Sequence, residues 1–296
     1  MTSQLERAQQ FIWANARLID RHLFAYHFAG GPKGPVLAAL RAYQNDDGGF
    51  GNALEPDKRT PHSQPIDVEV ALRILDAVDA FDDPMVARVC EFLPAITRPE
   101  GGVPFSLPTA NAYPHAPWWR APDDPPAAIN PTAAIAGLLH KHGVRTPWLE
   151  RASDYCWRTI EASDTTEFHD LMAIVTFLAH APDRERAGRE LQRIRERIAA
   201  AGVVETDPAA EGYVHRPLDW APTPDSPLRP LFSDEVLQEQ LRMLQAAQRE
   251  DGGWPIGWPP ISPAVECEYR SVVTTGALLT LRAYRQAGFD VPGAGV

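Results

Sequence analysis

Acidic and polar side chains collect at the start of several apolar helical runs of this 296-residue chain: Gln64, Asp67 and Glu69; Asn130 and Thr132; His169 and Asp170; Glu266, Glu268, Tyr269 and Arg270. A carboxylic acid among apolar neighbours loses the hydration that favours its charged form. It stays neutral to higher pH and can act as a general acid, which is how a carbon–carbon double bond could be protonated. Spacing sorts the candidates. Glu69 and Arg73 are four residues apart, as are Glu266 and Arg270, so each of these glutamates has an ion-pair partner one turn along. Asp67 and Glu268 have none at that spacing. Residues two apart point roughly 200° away from each other on a helix, so Asp67 and Glu69 cannot both face one cavity squarely. The order of candidates is Asp67 and Glu268, then Asp170. The alternative for each is a first-turn carboxylate that complements the helix dipole and does no chemistry.

The elements that position these residues are announced by a motif that occurs twice. Gln44-Asn45-Asp46-Asp47-Gly48-Gly49-Phe50 and Gln248-Arg249-Glu250-Asp251-Gly252-Gly253-Trp254 share the pattern Gln-x-x-Asp-Gly-Gly-aromatic. Each follows an apolar-periodic run (Leu37, Leu40, Tyr43; Leu241, Leu244, Ala247) and precedes another, so it marks the turn of a repeated helical hairpin. Asp-Gly-Gly stops the helix, the glycines tolerate positive φ, the aromatic ring can fold back on the last turn, and Gln can satisfy backbone groups there. Degenerate copies stand at Pro99-Glu100-Gly101-Gly102-Val103 and Glu211-Gly212-Tyr213. Helices are expected from Leu5 to Leu23 and over 34–44, 66–75, 84–97, 131–142, 147–162, 166–181, 184–201, 233–248 and 266–286. Prolines at 208, 217, 222, 224, 227 and 230 forbid a regular helix over 202–230.

The doubled motif resembles the QW motif of the terpenoid cyclases and the protein prenyltransferase β subunits. The resemblance implies an all-α fold, an α/α toroid of about five outer and inner helical hairpins, incomplete or distorted near 202–230. The whole chain, 1–296, would then be a single toroid domain. Inner helices of such a toroid begin at the mouth of a central cavity, which is where the polar helix starts would fall. The resemblance further implies acid-catalysed cyclisation or isomerisation of an isoprenoid or other apolar substrate. The Asp-x-Asp-Asp run of the proton-initiated cyclases is absent; Asp67-Val68-Glu69-Val70 matches it as Asp-x-acid. Prenyltransferases of this superfamily hold zinc with Asp, Cys and His. His169 with Glu266 and Cys267 is a loose echo that lacks the Asp-x-Cys spacing, so no metal or other cofactor is expected. Asp46-Asp47 reads as turn chemistry rather than a magnesium motif.

Two loops add candidate substrate contacts. Residues 52–65 carry the charged side chains Glu55, Asp57, Lys58 and Arg59 on a segment stiffened by prolines, of which Glu55, Asp57 and Arg59 are the candidate contacts, and residues 113–120 carry His115, Trp118 and Trp119, the tryptophans offering π faces that suit a carbocation, a quaternary ammonium or a sugar ring. His169 and Tyr269 complete the expected substrate-binding set. The alternatives are a solvated loop with Glu55 or Asp57 paired to Arg59, and a hydrophobic plug made by the tryptophans.

A net charge of −11 argues against nucleic acid and anionic membrane surfaces as partners. A small, apolar molecule remains the expected ligand. No run is apolar and long enough to span a membrane, and no secretory signal opens the chain, so a cytoplasmic protein is expected. Cys90, Cys156 and Cys267 suggest reduced thiols. Nucleophile elbows, phosphate-cradling loops and HExxH are missing. Oligomeric state is not encoded in any of these features. Two other function classes fit the same pattern: a carbohydrate-active α/α-barrel enzyme with paired carboxylates, and a non-catalytic ligand-binding repeat protein.

Overall fold

A computed structural model describes residues 3–207, 210 and 212–291. Pro208 and Glu211 lie outside the described residues. Among these the fold is all-α, with twelve α-helices, short 3₁₀ turns and isolated bridges in place of strands. The chain divides into two compact units, one of residues 33–197, the other built from both ends of the chain.

In the 33–197 unit, α3 (Lys33–Arg41), α4 (Pro65–Ala77), α5 (Pro84–Ile96), α6 (Ile129–Lys141), α7 (Pro147–Ala162) and α8 (Phe168–His180) follow one another, with most of α9 (Arg184–Ala201). Helix α6 packs between α4 and α8, while α5 and α7 pack on each other behind, so successive helices alternate between two layers. The sequence explains the middle position of α6. Every residue from Ile129 to Leu139 is buried, and Gly137 meets the Thr176 carbonyl of α8 so closely that an added Cβ would stand 2.5 Å from it. Only glycine permits that crossing.

The terminal unit holds α1 (Gln4–Asn15), α2 (Leu18–Phe28), the single turn α10 (Pro217–Trp220), α11 (Asp234–Ala246) and α12 (Pro263–Gln286). The continuous helix expected from Leu5 to Leu23 is two helices. Ala16 and Arg17 take extended backbone, and Arg17 pairs its guanidinium with Asp20 in the first turn of the new helix at 2.7 Å. Over 202–230 the described residues hold the single turn α10 and the start of a 3₁₀ turn, Arg229–Leu231, and no longer helix. Gly257 packs against the Gly212 carbonyl, so this irregular segment rests on the loop that precedes α12.

The turn motif is a device for joining one outer-layer helix to the next. In the first copy Asn45 N–H donates to the Gly49 carbonyl and Gly48 N–H to that of Asn45; Arg249, Gly253 and Gly252 repeat the pattern, and so do Arg98, Gly102 and Gly101 of the degenerate copy. Gln44 Nε2 donates to Gly48 O in its own turn and to Met85 O at the start of α5, and Gln248 Nε2 donates to Gly252 O and to Gln4 O of α1. Gly48 and Gly252 have φ of +90° and +93°, and a Cβ there would stand 2.3 and 2.1 Å from the carbonyl oxygens of Arg88 and Arg7. An arginine of the approaching helix closes each copy: Arg88 on Asn45 and Asp46 carbonyls, Arg151 on Arg98 and Pro99 carbonyls, Arg7 on the Gln248 side chain. The Trp254 ring folds back on α11 and donates to Leu244 O at 2.7 Å. Asp47 and Asp251 accept the N–H of Gly49 and Gly253 and so belong to the turn.

Candidate active site

The loop of residues 52–64 delivers the densest polar constellation to the first turn of α4. Lys58 lies wholly out of solvent and places Nζ 2.5 Å from Oδ2 of Asp67, whose side chain is 1% exposed. Asp67 Oδ1 accepts the backbone N–H of Glu55 at 2.7 Å, so both carboxylate oxygens face donors. Asp57, also buried, accepts the indole N–H of Trp119. The Trp119 ring stacks on Phe105 at 4.9 Å, and its centroid lies 4.9 Å from Lys58 Nζ. Backbone bonds from Arg59 N–H to Pro114 O and from Ala116 N–H to Asp57 O zip this loop to the one carrying His115. Thus Glu55, Asp57, Asp67, His115 and Trp119 come together around Lys58. Trp118 diverges from Trp119 and is 44% exposed. Arg59 is half-buried and donates to Pro56 O.

Lys58 belongs to the charged loop 52–65 but was not among its expected substrate contacts. Nothing local marks it, because its partner is nine residues away across a proline-stiffened turn rather than one helical turn along. The Glu69–Arg73 pair does form, with Arg73 Nε and Nη2 each 2.8 Å from Glu69 Oε1. Glu69 Oε2 is buried and accepts no hydrogen bond.

The expected Glu266–Arg270 pair does not form. Arg270 is buried, donates to Asp251 Oδ1 at 2.7 Å and to the Trp254 carbonyl, and lies over the Phe11 ring. The guanidinium first, with the Gly253 N–H, holds the Asp251 carboxyl below its usual range. Glu266 instead stands 3.9 Å from Arg249. The turn aspartate outcompetes the glutamate on the helix because it already faces into the same end of α12.

Glu268 and Tyr269 are half-buried in the first turns of α12. They stand at the head of a partly exposed stripe that continues through Val272, Gly276 and Leu279, three to four residues apart. Among the described residues no group of three or more His, Cys, Asp or Glu side chains is placed to hold a metal; Cys267 is half-buried and His169 exposed.

Asp170, in the first turn of α8, is half-buried, and its backbone N–H is capped by Glu167 Oε2. Burial first, then the negative charge of Glu167, push its carboxyl above the usual range. An aspartate raised on folding keeps its proton in the folded state after the unfolded chain has lost it, so its contribution to stability falls as pH rises through that interval. Asp170→Asn is therefore expected to gain stability relative to wild type as pH is raised from about 4 toward neutrality. Urea midpoints of the two proteins across that range measure it, and a constant difference would be evidence against the raised carboxyl.

Neither a protein-family model nor a curated protein matches the chain. Solved structures do. A protein from Actinoplanes is similar with a TM-score of 0.55 at 19% identity, over 96% of this chain and 98% of that one. A type II terpene cyclase from Scytonema is similar with a TM-score of 0.55 at 16% identity, over 97% and 98% of the two chains. The same cyclase, as an Arg-to-Ala variant in complex with its substrate geranylgeranyl dihydroxybenzoate, is similar with a TM-score of 0.51 at 16% identity, over 94% and 95%. This chain has the terpenoid-cyclase-like α/α toroid fold that the doubled motif implied. Among the described residues no helix is long and apolar enough to cross a membrane.

Proposed function

We propose that the protein is an enzyme of the terpene-cyclase type that cyclises or isomerises an isoprenoid substrate by protonating a double bond, with Glu268 as the acid. The observation that carries this reading is the stripe on α12, where a half-buried carboxyl heads a row of apolar and small residues, Val272, Gly276 and Leu279, against which a hydrocarbon chain can lie. Asp67 fits a different part, an anchor. Its oxygens are already engaged by Lys58 and Glu55, and it is sealed from any ligand. Asp170 carries a raised carboxyl, but the charges and hydroxyls it feels belong to Glu167, Thr165 and His169 at the helix start.

Protonation of an alkene by Glu268 transfers one solvent-exchangeable proton to carbon, and the cation so formed either loses a neighbouring proton to water directly or first closes a ring with a second double bond and then loses one. The solved cyclase's substrate supplies the probe. Incubated in D₂O with geranylgeranyl dihydroxybenzoate, the protein is expected to give a product isomeric with the substrate and carrying one carbon-bound deuterium. Unchanged substrate after prolonged incubation, or cyclised product without deuterium, would count against proton-initiated chemistry.

A further inference from the structure

Lys58 and Asp67 are sealed together more completely than an ion pair requires. Their side chains are 0% and 1% exposed, and Nζ of the one stands 2.5 Å from Oδ2 of the other. The Trp119 ring, its centroid 4.9 Å from Nζ, is backed by Phe105 and held at its N–H by the buried Asp57. Lys141 and Asp76 make the contrasting case. That pair is 40% and 22% exposed, so water reaches both partners.

An amine and a carboxyl group enclosed in this way are reactants as well as charges. Each charge held out of water loses solvation that its partner only partly returns, and condensation to an amide would remove both charges at once. The reverse step, hydrolysis, needs water where water is excluded. The forward step is favoured by position. Asp67 Cγ is one bond beyond Oδ2, and groups already held in contact react as parts of one molecule, without the entropy cost of an encounter. Asp67 Oδ1 accepts the Glu55 N–H at 2.7 Å, so the oxygen on which negative charge develops during attack at Cγ already faces a donor.

We propose that Lys58 and Asp67 join in an intramolecular amide, a covalent tie from the loop of residues 52–64 to the first turn of α4. Nζ gives one proton to Oδ2 through the existing hydrogen bond, which leaves a neutral amine against a neutral carboxylic acid. A bond then forms from Nζ to Cγ, Oδ1 takes the negative charge, and the nitrogen passes a second proton to Oδ2. The Cγ–Oδ2 bond breaks and Oδ2 leaves as water, while Oδ1 returns to a carbonyl and one hydrogen stays on the amide nitrogen. No oxidant, metal or further reactant enters. The chain folds with the ion pair, and the amide accumulates from it afterwards, so freshly folded protein is ionic and aged protein is tied.

Mass spectrometry of the wild-type protein over a prolonged incubation tests it. The intact chain is expected to become one water lighter. Trypsin does not cut after an acylated lysine, and the aged protein is expected to release a branched peptide in which residues 42–59 are joined to residues 60–73 through Lys58 and Asp67. The peptide is the deciding readout, because Asp47-Gly48 and Asp251-Gly252 can also lose one water by closing a succinimide. The same chain kept unfolded in guanidinium chloride no longer holds the two groups together and is expected to give no branched peptide. An unchanged mass in the folded protein, a lost water without the branched peptide, or a branched peptide that forms equally in guanidinium chloride would overturn the proposal.

Discussion

Replacing Lys58 with methionine is expected to lower the free energy of unfolding by about 3–5 kcal/mol, the usual consequence of stranding a buried charge. The side chains of Lys58 and Asp67 are 0% and 1% exposed, so water cannot take over the role of the missing ammonium. Asp67 would keep the Glu55 N–H but lose its ammonium partner, and the face of Trp119 would lose its cation. Asp57, the second buried carboxylate of the loop, would feel the loss as well. Methionine fills much of the same volume, which keeps a cavity from mimicking the electrostatic effect. The double variant Lys58→Met with Asp67→Leu should recover most of the loss, since a well-packed apolar pair often matches a buried ion pair. Denaturant unfolding of the three proteins gives the comparison. A loss below about 1 kcal/mol in the single variant would mean that the pair contributes no more than a surface one.

The same pair changes what an Asp67→Asn experiment can say. With Asp67 read as an unpartnered acid on a helix, the neutral variant should fold normally and lose activity. With Lys58 against it, that variant strands a buried ammonium, and any lost activity has to be separated from lost stability.

The helices were legible because their signals are local. Residues 184–201 read as one amphipathic helix and form one, and the Asp-Gly-Gly turns specify both the stop and the approach of the following helix. The break at Ala16–Arg17 was not, since neither residue is a strong helix breaker and the Arg17–Asp20 ion pair reads equally well as a pair within one helix. In the site, the pairing rule that works within a helix succeeded for Glu69–Arg73 and failed for Glu266–Arg270. In the second case the winning acceptor, Asp251, lies 19 residues upstream in a turn. Lys58–Asp67 escaped for the same reason. Contacts made by a loop folding back on a helix start have no period to read.

Glu268→Gln is the variant expected to cost the most turnover. A positioned general acid contributes typically 10²- to 10⁴-fold, and glutamine keeps the size and shape of the side chain while offering no proton that can be transferred. The position is half-buried and glutamine is isosteric, so the fold should lose little compared with the loss of turnover. A hydrocarbon held by Val272, Gly276 and Leu279 touches the same surface in both proteins, and KM should therefore stay near the wild-type value while kcat collapses. Glu268→Asp withdraws the carboxyl by one methylene from the same stripe. It should retain a fraction of kcat, which a purely structural glutamate would not predict from its chemistry. If Glu268→Gln turns over geranylgeranyl dihydroxybenzoate within a few-fold of wild type, the proton comes from elsewhere. The raised carboxyl of Asp170 is then the next acid to remove, because burial and the neighbouring Glu167 charge hold its neutral form to higher pH.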